Sequence, residues 1–67
     1  MYTRYEVEIG GTRRKVRAAT PRSALVRVAK SLDVRVLSAY AVNGSLWEVV
    51  TDQMDGDPED AWVRRVK

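Results

Sequence analysis

The residues best suited to bind a charged ligand are arginines and lysines spaced two apart around a pair of glycines. Several lie near the start of this 67-residue chain: Arg4, Arg13, Lys15 and Arg17. Side chains spaced two apart on a strand project from one face, and clustered cations there bind phosphate oxygens. Further basic residues recur in two later segments that are predicted below to be helices, as a basic edge separate from the strand face: Arg27, Lys30, Arg64 and Lys67. Together these positions form the candidate nucleic-acid-binding set.

Acidic residues near the first basic cluster neutralise part of its charge. A two-residue turn at the glycine pair would place Glu8 opposite Arg13 and Glu6 opposite Lys15, and both cross-strand pairs are favourable. These residues can therefore form an ordinary solvated face, which is the alternative to a ligand site.

Arg4 and Arg17 differ from those pairs because the same turn places them opposite each other. Like charges across two strands repel, and a bound phosphate would relieve the conflict. Single-stranded nucleic acid would also need aromatic side chains near the charge for base stacking. Tyr2 is the only aromatic residue expected on this face, which weakens the single-stranded version of the hypothesis.

Catalytic chemistry is poorly represented in the composition. The chain has no histidine and no cysteine, which excludes disulfides, thiolate nucleophiles and the usual zinc and imidazole chemistry. Residues 52–60 are rich in carboxylates, but their spacing matches no calcium loop, and a solvated loop explains them. We expect no enzymatic activity, no metal and no cofactor.

The charge distribution and cysteine content indicate the compartment and the type of partner. The net charge is +3. Basic residues are concentrated in residues 1–40, whereas all the charged residues in 41–60 are acidic. A cysteine-free chain fits a reducing compartment, and no stretch approaches the ~20 apolar residues of a membrane helix. We therefore expect a cytoplasmic protein without membrane contact. The preference for arginine over lysine is typical of high-GC genomes, bacterial or phage.

The first half of the chain has the pattern of a hairpin followed by a helix. Residues 3–9 and 12–18 alternate around Gly10 and Gly11, which predicts two strands joined by a tight turn. Thr20 and Pro21 then predict a helix start, with threonine as the N-cap. Apolar residues at helical spacing form one stripe: Ala24, Leu25, Val28, Ala29 and Leu32.

The second half is predicted to repeat this plan. Asn43 and Gly44 are a strong hairpin signal between two further strands. Residues 58–67 then align with residues 21–30, with Trp62 in the place of Leu25, which predicts a second helix and a buried tryptophan. The alternative is a final strand over residues 61–67, because apolar and charged side chains also alternate there.

These patterns predict a single small α+β domain over residues 1–67. It would consist of two ββα units, residues 1–33 and 34–67, that form a four-stranded antiparallel sheet with two helices on one face. The alternative is a ββαβββ order with a C-terminal strand.

An apolar surface is predicted on the second hairpin. A two-residue turn at the Asn-Gly pair would direct Tyr40, Val42, Trp47 and Val49 toward the helices. The opposite face would then carry Leu37, Ala39, Ala41, Leu46 and Val50. Such a patch usually marks a partner interface, and we expect a homodimer that joins second hairpins face to face. An inverted assignment of strand faces is the alternative.

Two classes of function fit the sequence. The preferred one is a non-enzymatic module, a small oligomeric protein with a nucleic-acid-binding or regulatory role. The other is a protein–protein interaction module, such as a small phage-encoded factor that binds a host protein. The net charge favours nucleic acid, whereas the acidic segment, which would repel DNA, favours a protein partner.

Overall fold

A computed structural model describes residues 2–53 and 57–66 of the chain. The described residues form one helix and five strands, in this order: β1 (Thr3–Ile9), β2 (Thr12–Ala18), α1 (Pro21–Ser31), β3 (Val36–Ala41), β4 (Leu46–Thr51) and β5 (Glu59–Arg65). The strands form one antiparallel sheet in the order β2-β1-β5-β4-β3. Helix α1 covers one side, which we call the helix face; the other side is the open face.

The C-terminal segment is a strand, so the prediction of two ββα units with a four-stranded sheet and two helices is wrong. β5 lies at the centre of the sheet and pairs with β1 on one side and β4 on the other. It therefore satisfies backbone groups of two neighbouring strands, which a helix over these residues would have left unpaired. This long-range pairing overrides the local helix-start signal at Asp57 and Pro58. The observed order is ββαβββ, the alternative weighed from the sequence.

The first hairpin has the predicted register. Arg4 lies opposite Arg17 and Glu8 opposite Arg13 along the β1–β2 pair. The two turn glycines have φ values of 56° and 83°, in the left-handed region that glycine adopts without steric penalty. The turn sequence and the strand pattern agree here, and together they fix which side chains reach each face.

Helix α1 begins where the sequence predicts. The Thr20 hydroxyl accepts a hydrogen bond from the Ser23 backbone N–H at 3.1 Å, and proline occupies the first turn. The buried stripe of the helix packs on the sheet: Ala24, Leu25, Val28 and Ala29. Leu25 is completely buried, which stabilises the fold by about 1.5–3 kcal/mol relative to an exposed side chain. At 11 residues, α1 is too short to cross a membrane, and no other helix occurs in the described ranges.

The second hairpin is displaced by one residue from its predicted register. Ala41 lies opposite Trp47, whereas a two-residue turn at Asn43 and Gly44 would have paired it with Leu46. The connection spans residues 42–45 instead of two residues. A two-residue hairpin turn of type I′ needs a positive φ at both central positions, and Gly44 does not have one, so this turn does not form. Asn43 instead accepts a hydrogen bond through Oδ1 from the Leu46 N–H at 3.4 Å.

This displacement exchanges the two faces of β3, because side chains alternate with a period of two. Ala39 is buried beneath the helix with 7% of its surface exposed, whereas Tyr40 is 55% exposed on the open face. Both assignments are the reverse of the prediction. A bulge between Val36 and Ser38 then shifts the pairing at the start of β3.

Candidate nucleic-acid interface

The open face of the sheet divides into two parts of different chemistry. Strands β2 and β1 form the charged half: Arg13, Lys15, Arg17, Arg4, Glu6 and Glu8. Strands β4 and β3, with part of β5, form the apolar half: Leu46, Val50, Tyr40 and Trp62. The central strand joins the halves, because its Arg64 lies opposite Glu6 and its Trp62 opposite Glu8.

Two carboxylates of the charged half are held by arginines. Arg13 Nη2 lies 3.2 Å from Glu8 Oε1, and Arg13 Nε lies 4.0 Å from Glu6 Oε1. Arg64 Nη2 approaches the same Glu6 oxygen at 3.5 Å. Such exposed pairs contribute only about 0–1 kcal/mol each to stability, but they neutralise the acidic side chains on this part of the face.

Three cations remain at one end of the charged half. Arg4, Lys15 and Arg17 have no acidic side chain within 4.0 Å in the part of the chain that the structure describes. Arg4 and Arg17 lie directly opposite each other, about 5 Å apart between Cα atoms. Like charges directly opposite each other on two strands repel, and an anion between them would relieve the repulsion.

Trp62 supplies an aromatic surface on the same face, nearer the other end of β1. Its side chain is 43% exposed and lies between Glu8 on β1 and Leu46 on β4. A shallow cavity of about 460 Å³ borders the indole, and its walls include Arg64 and Ser45. This volume is in the range of small-molecule sites in proteins. The face thus offers a flat ring with a cation two residues away on the same strand.

Tyr40 and Glu48 form a polar contact within the apolar half. They lie opposite each other on β3 and β4, and the Tyr40 hydroxyl donates a hydrogen bond to the Glu48 carboxylate. This hydrogen bond holds the phenol in its neutral form and raises the pKa of Tyr40, with desolvation and the negative charge of Glu48 acting in the same direction. The contact fixes the orientation of an exposed aromatic ring.

Some residues of the candidate nucleic-acid set lie elsewhere. Arg27 and Lys30 are exposed on the outer side of α1, separated from the open face by the whole sheet. The Arg27 guanidinium carbon lies 5.6 Å from the centre of the Tyr2 ring, which places this ring on the helix side rather than with the strand cations. Lys67 lies outside the described residues.

The residues of the predicted apolar interface do not share one surface. Leu46 and Val50 lie half-buried on the open face, but Ala39 is buried beneath the helix and Ala41 lies on the helix face opposite a tryptophan. Leu37 is 56% exposed beside the bulge at the start of β3. The one-residue displacement of the hairpin therefore places the two alanines of β3 on the helix face and leaves the two β4 residues on the open face.

Sequence reasoning missed Trp62 as a surface residue because the helical alignment placed it in the core. The signal for its real position was the alternation of Ala61 and Val63, both buried, with Trp62 and Arg64, both exposed. This period of two is typical of a strand with one covered face. It also brings an aromatic ring to the face where only Tyr2 was expected.

No protein-family model, curated protein or solved structure matches this chain. Residues 2–53 and 57–66 also contain no group of three or more histidine, cysteine, aspartate or glutamate side chains placed to hold a metal ion. Function must therefore be inferred from the open face itself.

Proposed function

We propose that this protein binds single-stranded nucleic acid across the open face of its sheet and catalyses no reaction. The observation that supports this proposal is the exposed Trp62 ring on the same face as Arg4, Lys15, Arg17 and Arg64. Single-stranded nucleic acid needs both components, since bases stack on aromatic rings while cations contact the backbone. Each stacked base contributes about 1–3 kcal/mol.

A single strand fits this face better than a duplex does. Bases inside a duplex are already stacked on each other, and their faces cannot reach Trp62. An unpaired strand can place a base on the indole ring while its phosphates contact the arginines. The five strands span about 19 Å, so one protomer accommodates only a short segment of nucleic acid.

The charges give the bound strand a preferred position. Glu6 and Glu8 are already neutralised by arginines, whereas Glu48 and Asp60 lie toward the apolar half. Phosphates should therefore gather at the Arg4 end of the face, and bases should extend toward the tryptophan.

The proposal includes a cytoplasmic location and self-association. The absence of cysteine is compatible with a reducing compartment. Domains of this size bury a small core and often gain stability by forming oligomers. A homo-oligomer would also increase the length of nucleic acid that one assembly contacts.

The test compares two pairs of cations on opposite sides of the sheet. Arg4→Gln combined with Arg17→Gln removes the open-face pair, and Arg22→Gln combined with Lys30→Gln removes the same charge from the exposed side of the helix. Binding to an oligodeoxythymidine, followed by fluorescence anisotropy over a range of salt concentrations, should weaken more in the first variant. Its salt slope should fall by about 1.4, the value for two lost single-strand phosphate contacts.

Equal losses in the two variants would show that net charge alone attracts nucleic acid. No binding by the parent at low salt would reject the proposal. The apolar half of the open face would then favour the second candidate, a protein-interaction module, because Tyr40 and Val42 leave exposed apolar surface beside Leu46.

A further inference from the structure

The two outer strands of the described sheet differ sharply in charge. β2 carries four cations along its length: Arg13, Arg14, Lys15 and Arg17. β3, at the other edge, carries none, and residues 36–47 contain no charged side chain. Charged side chains on an edge prevent its pairing with another chain, so β2 is protected in this way and β3 is not.

The hydrogen bonds of β3 show which of its backbone groups face outward. Val42 N–H donates to the Leu46 carbonyl at 2.8 Å, so the groups of Val42, Tyr40 and Ser38 point toward β4. Backbone groups alternate in direction along an antiparallel strand. Those of Ala39 and Ala41 therefore point away from the sheet.

The start of β3 is held in a different way. Asp52 N–H donates to the Arg35 carbonyl at 3.0 Å, and Arg35 N–H donates to Asp52 Oδ1 at 3.2 Å. The bulge between Val36 and Ser38 follows directly. The regular edge available for pairing therefore begins after the bulge and continues to the end of the strand.

We propose that this edge pairs with the same edge of a second copy of the chain, which joins two sheets into one continuous antiparallel sheet. The inference deepens the self-association part of the proposed function. A two-fold axis near Ala39 would place Leu37 of one copy opposite Ala41 of the other. Neutral side chains on both strands allow this pairing without a like-charge contact.

Charge favours a second copy that approaches through β3. The chain carries a net charge of +3, and the β2 cations lie at the far edge, about 19 Å from β3. Pairing at β3 places the two β2 edges at opposite ends of the joined sheet, which minimises repulsion between copies. The exposed side chains Leu37, Tyr40 and Val42 would come together at the centre.

The joined sheet would also extend the proposed nucleic-acid surface. Both open faces would lie on the same side, with apolar halves in the middle and charged halves at the ends. A nucleic-acid strand could then contact two Trp62 rings in one assembly. Self-association and nucleic-acid binding nevertheless depend on different residues and can be measured separately.

Sedimentation equilibrium of the full chain at several hundred micromolar tests the pairing. The parent should have twice the protomer mass of 7.6 kDa. Ala41→Lys places a charge on the exposed edge and should yield monomers with an unchanged far-UV spectrum. Lys15→Ala, which changes the charge of the opposite edge, should remain dimeric. Hydrogen exchange should protect the amides of Ala39 and Ala41 in the parent and not in the Ala41→Lys variant.

A monomeric parent would overturn the inference. So would an Ala41→Lys variant that stays dimeric while Leu46→Glu, on the open face, produces monomers, since that result indicates face-to-face association. Anisotropy with the oligodeoxythymidine separates this inference from the proposed function. A monomer that binds the oligonucleotide rejects only edge pairing, and a dimer that does not bind it rejects only the nucleic-acid proposal.

Discussion

The two hairpins contain similar turn signals, but only the first adopts the register that its turn predicts. Gly10 and Gly11 take positive φ and set the β1–β2 pairing. Asn43 and Gly44 lie in a longer connection, and β3 is displaced by one residue relative to the expected pairing. A turn signal therefore determines register only when the flanking strands support it.

The side chains of the strands explain this difference. In β1, charged residues alternate strictly with apolar ones, and a slip by one residue would bury Arg4, Glu6 and Glu8. β3 has no charged residue, so either face could be buried at little cost in solvation. The observed register buries the small Ala39 beneath the helix and leaves the larger Tyr40 in contact with Glu48.

The largest expected effect is the difference in stability between a charge on the helix face of β3 and a charge on its open face. Ala39→Asp should destabilise the fold by at least about 3 kcal/mol, because the carboxylate would be buried without a partner. Ser38→Asp, the adjacent exposed position on the open face, should change stability by no more than about 0.5 kcal/mol. Urea denaturation of both variants measures the difference. The opposite ranking would mean that β3 has the register of a two-residue turn.

A smaller effect is expected from alanine in the two turns. Gly11→Ala should cost about 1–2 kcal/mol, because φ is 83° and the left-handed region disfavours a Cβ atom. No heavy atom lies within 4 Å of the added Cβ, so the penalty comes from the backbone alone. Gly44→Ala should instead stabilise the protein by about 0.4–1 kcal/mol, because a Cβ meets open space and the unfolded chain loses freedom. Thermal unfolding compares the two, and equal losses would contradict the observed second turn.

The smallest effect concerns the titration of Tyr40. Its pKa is raised because Glu48 accepts a hydrogen bond from the neutral phenol, so Glu48→Gln should lower the Tyr40 pKa. The stabilising contribution of this contact is complete below the unfolded-state pKa and is lost as the pH rises through the folded-state pKa. The ring-carbon resonance of Tyr40, followed by NMR through the alkaline range, measures both midpoints. An unchanged midpoint would show that the two side chains are not in contact in solution.

Local signals in the sequence were sufficient for the first ββα segment. The glycine pair, the Thr20 cap and the helical stripe act over a few residues each, and all three are seen in the structure. For β5 the local signals conflict, since alternating side chains indicate a strand and the preceding Asp-Pro pair indicates a helix. The pairing that decides between them is not local, because its partner β1 lies some fifty residues earlier in the chain. The helix-start signal at Asp57 and Pro58 is local, whereas the position of β5 between β1 and β4 depends on residues far away in the sequence.

The part of the candidate site that local signals specify was predictable, and the part that depends on long-range strand pairing was not. Arg4, Arg13, Lys15 and Arg17 belong to one hairpin with a clear register, and the structure places them on one face. Arg27, Lys30 and Arg64 were predicted to lie apart from them on two helices. This placement is correct for the two residues of α1, but Arg64 lies on the open face in β5. Trp62 joins the cations only through the central position of β5, which no local pattern specifies.

Binding at the open face can be tested within one sample, because the chain has two tryptophans on opposite sides of the sheet. Trp62 is exposed on the open face, whereas Trp47 packs partly buried against the core on the helix face. A short oligodeoxythymidine titrated into ¹⁵N-labelled protein should shift the indole N–H resonance of Trp62 and leave that of Trp47 in place. A shift confined to Trp47, or no shift of either resonance at low salt, would contradict nucleic-acid binding at the open face.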